Sequence, residues 1–76
     1  MYRFLIIIEA GEQNYSAYAP DLPGCVATGN TREEVEQNMR EAVALHLQGM
    51  IEDQEPIPSI QTIAEYIDIS LPHSAA

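Results

Sequence analysis

The residues from Tyr18 to Val35 constrain the fold most, because a strand end, a tight turn, a second strand and the start of the main helix are all signalled within them. Pro23-Gly24 sets a tight reversal between Leu22 and Cys25. Proline presets φ at the first central position of a type II turn, and glycine accepts the positive φ of the second. A short strand over Cys25 to Thr28 follows and is broken by Gly29-Asn30. Thr31, with Glu34 three residues on, then forms the pattern of a capping box and opens a helix. The stretch therefore closes one strand, turns, runs a second and starts the main helix.

On either side the periodicities are distinct. Tyr2 to Glu9 is β-branched and aromatic, with Tyr2, Phe4, Ile6 and Ile8 on one face and Leu5 and Ile7 on the other, which predicts a strand covered on both sides. The polar run from Gly11 to Asn14 connects it to a second strand over Tyr15 to Ala19, forming an antiparallel hairpin. The helix is expected from Thr31 to Asp53. Val35, Met39, Ala42, Val43, His46 and Met50 form an apolar stripe at steps of three and four, so one side faces the sheet. Pro56 and Pro58 forbid its continuation. Ile63 to Ile69 alternates again, predicting a fourth strand, and residues 71–76 form a loose tail. The fold class is α+β, a small antiparallel sheet with one long helix packed on it in the order βββαβ, and residues 1–70 make the single domain.

At 76 residues the chain buries only about 60% of its unfolded surface, so association with other chains is expected to supplement its core. It has three Arg, no Lys and twelve Asp and Glu, for a formal net charge of -9. That field repels nucleic acid and anionic membrane and favours a basic protein partner. One cysteine makes no internal disulfide, no apolar run reaches the roughly 18 residues of a membrane span, and Phe4 to Ile8 is too short for a secretion signal. The expected compartment is the cytoplasm.

Few residues offer chemistry. Asp21 is expected to bond nearby backbone amides of its turn. A nuclease site needs several convergent carboxylates, and the spacing of Asp21, Glu9, Glu41 and Asp68 gives no sign of convergence. Cys25 begins a strand as a small buried apolar residue, His46 lies within the helical stripe, and His73 lies in the tail. No close-spaced ligand pair marks a zinc site. Neither a catalytic residue, a metal nor a cofactor is expected. Partner contacts are assigned instead to Tyr18, Pro20, Asp21, Leu22, Pro23 and Gly24, with Tyr18 and Leu22 as apolar anchors.

The ordered set Asp21-Leu22-Pro23-Gly24-Cys25, Gly29-Asn30-Thr31 with Glu33-Glu34, Asn38 with Glu41-Ala42, and Pro56-Ile57-Pro58 resembles the HicB-like antitoxin family over residues 2–69. The resemblance implies a degraded ribonuclease H-like βββαβ domain, a homodimer or larger homo-oligomer, and neutralisation of a small basic HicA-type toxin that cleaves messenger RNA. Many relatives of this kind carry a C-terminal DNA-binding domain. No basic segment of that type is in this sequence, so direct DNA binding is not expected. The alternative function is an oligomeric interaction module with no toxin partner, and a weak ribonuclease H-like nuclease is a minor one.

Overall fold

The computed structural model describes residues 1–72. Three strands, β1 (Ile7–Ala10), β2 (Tyr15–Tyr18) and β3 (Val26–Gly29), precede one helix, α1 (Arg32–Glu52). The strands form an antiparallel meander in the order β1-β2-β3. Its register aligns Ile8, Ala17 and Ala27 in one row, and Ile7, Tyr18 and Val26 in the adjacent row. Neighbouring residues along a strand point to opposite faces, so the first row meets the helix and the second lies on the far side of the sheet.

The helix begins where the capping pattern places it. Thr31 is extended at φ -130° and ψ 165°, and its hydroxyl accepts the Glu34 amide at 3.0 Å. The Glu34 carboxylate reaches back to accept the Asn30 amide, also at 3.0 Å. The donor is one residue upstream of the N-cap amide that a capping box usually uses, and the bond ties the end of β3 to the first turn. At the other end the Gln54 amide donates to the Ile51 carbonyl at 3.1 Å and the Glu55 amide to the Met50 carbonyl at 2.8 Å. That pair of bonds is a Schellman closure. Its left-handed residue is Gln54 at φ 58°, where glycine is the usual occupant.

The core consists of Ala17, Ala19, Leu22, Cys25, Val35, Met39 and Leu47, with Ile8, Ala27, Ala42 and Val43 packed against it. Leu22, Val35 and Met39 are its largest fully buried side chains, each contributing about 1.5–3 kcal/mol of transfer free energy. Small residues on β2 and β3 let the helix lie close. A Cβ on Gly29 would stand 2.6 Å from the Val35 nitrogen and 2.9 Å from its Cα. Leu47, outside the stripe expected from spacing, is buried, and His46 is partly buried.

Two strand expectations need correction. The first strand is paired only over Ile7–Ala10, because Tyr18 is the last residue of β2 and faces Ile7. The chain then turns, leaving Tyr2 to Ile6 without a partner strand. The fourth strand does not join the sheet: residues 63–69 have no ladder, although their alternation suits one. Alternation specifies a residue set fit for a strand, whereas a ladder also needs the backbone brought within hydrogen-bonding distance of a neighbouring edge. Of the expected tail, residues 71 and 72 are exposed and the rest, with His73, lies outside the described residues.

These contacts give opposite expectations for two substitutions, measured as urea midpoints. Gly29→Ala forces backbone apart and should cost about 1–3 kcal/mol. Gln54→Gly relieves the left-handed conformation and should stabilise by about 1 kcal/mol.

Candidate functional site

The reversal between β2 and β3 is a compact, internally bonded loop. The Ala19 amide donates to the Cys25 carbonyl at 3.2 Å, Leu22 to Ala19 at 3.0 Å and Cys25 to Leu22 at 3.1 Å. Gly24 has φ 82°, as the Pro23-Gly24 pair requires, and the space around it is open. Ala19, Leu22 and Cys25 turn inward, while Pro23 and Gly24 are exposed and Pro20 and Asp21 partly so. Burial pushes the Cys25 thiol up, which keeps it neutral at physiological pH and suits a packing role.

Leu22 is therefore not an exposed anchor. It is 1% exposed and belongs to the core, because the turn drives its side chain under the loop against the helix-facing layer. Tyr18 does stand outward, at 41% exposure, and next to it in register is Val26 at 64%. With Ile7 they make an apolar row across the sheet face opposite α1. Val26 was legible in principle, since Cys25 and Ala27 pointing inward oblige the residue between them to point out.

Asp21 bonds far along the chain, not to its own turn. Its Oδ1 accepts the Thr62 hydroxyl at 2.9 Å, and its Oδ2 accepts the Gln61 and Thr62 amides at 3.2 and 3.3 Å. The carboxylate thus clips the segment that leaves the helix to the β2–β3 loop. The Thr62 hydroxyl bond, with the two amides, holds the Asp21 carboxyl below its ordinary range. Glu9, Glu41 and Asp68 are all exposed, and among the described residues no three His, Cys, Asp or Glu side chains are grouped to hold a metal ion. Among the same residues, no helix is long and apolar enough to cross a membrane.

Fold and surface together define the class: a small acidic α+β domain, one helix on a three-stranded meander, with an apolar row and a rigid turn facing outward. The chain belongs to the HicB-like antitoxins of bacterial toxin-antitoxin systems, whose family model matches residues 4–72. It is 40% identical over 63 residues to a 14.9 kDa protein of Haemophilus phage HP1, a match covering 83% of this chain and 47% of the phage protein. The chain thus spans about half the length of that relative. It is 31% identical over 70 residues to a UPF0150 protein of Synechocystis sp., covering 91% of this chain and 89% of the other. Its fold matches a chain of a solved HicA3 and HicB3 toxin-antitoxin complex with a TM-score of 0.60 and 31% identity, over 72% of this chain and 67% of that one.

A depressed carboxyl pKa in the folded state stabilises above the ordinary carboxylate range, and the stabilisation is lost as pH falls through the depressed value. The Gln61 and Thr62 amide resonances should therefore shift together as pH is lowered below about 4. In Asp21→Asn that step should vanish. Unchanged amide titration in the variant would show that another group anchors the segment.

Proposed function

We propose that the chain is a non-enzymatic antitoxin that neutralises a small basic HicA-type messenger-RNA-cleaving toxin by protein contact, as a homodimer or larger homo-oligomer in the cytoplasm. The observation that carries this reading is the match to a chain of a HicA3 and HicB3 complex, made by a member of the HicB-like antitoxin family. The charge supports it. A body with net charge -9 and no lysine draws a basic partner and accelerates encounter. Apolar side chains then hold the complex. Tyr18, with Ile7 and Val26 beside it and the Pro20, Asp21, Pro23 and Gly24 turn next to it, is the surface assigned to that contact. The anchors are thus Tyr18 and Val26 in place of Leu22.

The test combines this chain with a small basic HicA-type protein, sought first in the reading frames adjacent to its own. Cleavage of messenger RNA by that protein should stop once the chain is stoichiometric, and raising salt should weaken the complex. Tyr18→Ala should lower affinity by about thirtyfold, the loss of a contact worth about 2 kcal/mol, with unchanged circular dichroism. Continued cleavage at excess chain contradicts the reading, and neutralisation unaffected by Tyr18→Ala moves the contact elsewhere.

A further inference from the structure

The chain exposes more surface than a compact protein of its size. Its accessible surface is 6448 Å², about 1,800 Å² above the value expected for a folded monomer of 8.4 kDa. Its radius of gyration is 16.5 Å, against about 11 Å for a compact 76-residue domain. Much of the exposed apolar surface lies in the arm after Thr62, where Ile63, Tyr66, Ile67, Ile69 and Leu71 are between 66% and 104% exposed.

Two unfilled places on the body match this arm. One is the free edge of β1, since the sheet order leaves β1 with a single neighbour. The arm's own Ala64 to Tyr66 approach it but leave a gap of about 570 Å³ lined by Leu5 to Ile8, too open for a ladder. The other is a groove of about 900 Å³ between the N-terminal segment and α1, lined by Tyr2, Phe4, Ile6, Met39, Val43 and Leu47 among others.

We propose that two copies of this chain associate by reciprocal exchange, with residues 63–71 of each covering the free β1 edge and the adjacent apolar groove of the other. The excess of about 1,800 Å² per copy is more than the roughly 800 Å² per partner of a standard interface, so covering even half of it would suffice for a stable dimer. The Asp21 clip fixes where each arm leaves its own body, and an exchange that is reciprocal uses the same surfaces on both copies and closes about a twofold axis. The occupant is a second copy and not the basic partner, because the arm is apolar with only Glu65 and Asp68 charged. Two acidic copies repel at long range, so salt should tighten this contact while it loosens a basic partner's. The proposal deepens the oligomeric part of the function proposed above and is independent of the toxin part.

The test is sedimentation of the full chain at micromolar concentrations in low and high salt, with isotope-filtered NOEs in a mixture of labelled and unlabelled copies. The expected results are a dimer strengthened by salt, and contacts between the isoleucine methyls of one arm and the Tyr2 and Phe4 rings of the other copy. The double variant Ile67→Glu, Ile69→Glu alters only exposed positions and should weaken the dimer at least about a hundredfold while helix content is kept. A dimer indifferent to that variant overturns the exchange and leaves the homo-oligomer standing. A monomer in all conditions overturns both, and an arm whose contacts are all intramolecular overturns the exchange.

Discussion

The close approach of β3 to the first turn of α1 is the constraint on which the rest of the structure depends. Gly29 leaves no room for a Cβ against the Val35 backbone, and one strand-to-helix step is thereby drawn tight. The Asn38 side chain donates to the Thr28 carbonyl at 2.8 Å and holds the next turn against the same strand. Val35 and Met39 then have no choice but to sit over Ala17 and Ala27, and both become fully buried. A core of seven residues can be this small because the layers are this close: dispersion and apolar transfer both depend on contact without gaps.

From that junction the outward features follow. With the Ala17 row committed to the helix, Ile7, Tyr18 and Val26 must face away. With Leu22 and Cys25 drawn inward, the intervening Pro23 and Gly24 are held out on a rigid support. The surface proposed for partner contact is the necessary complement of the core. This agrees with membership of a family named for antitoxins, whose proposed work is contact and not chemistry.

Much of this was readable from local signals. The capping pattern of Thr31 and Glu34 located the helix start, and Pro23-Gly24 the turn, because each concerns hydrogen bonds within four residues. What was not readable depends on distance or on missing partners. The Asp21–Thr62 bond joins residues 41 apart, and no local pattern announces it. Gln54 closes the helix in a conformation usually given to glycine, so its residue type concealed its role. Leu22 looked like a turn residue and is a core one, since exposure depends on the direction in which a loop folds over. Residues 63–69 carry a strand's alternation, yet they form no ladder with the open β1 edge of their own chain.

Amide hydrogen exchange measured at two concentrations, one on each side of self-association, reads the body and the arm in a single experiment. At both, the amides of β2, β3 and the Val35 to Leu47 portion of α1 should exchange slowest, since they surround the Gly29 junction. Residues 63–71 should exchange freely when dilute and become protected when concentrated. Equal protection of the arm at both concentrations, or a body no slower than the arm, contradicts a core organised around β3 and α1 with an arm completed by another copy.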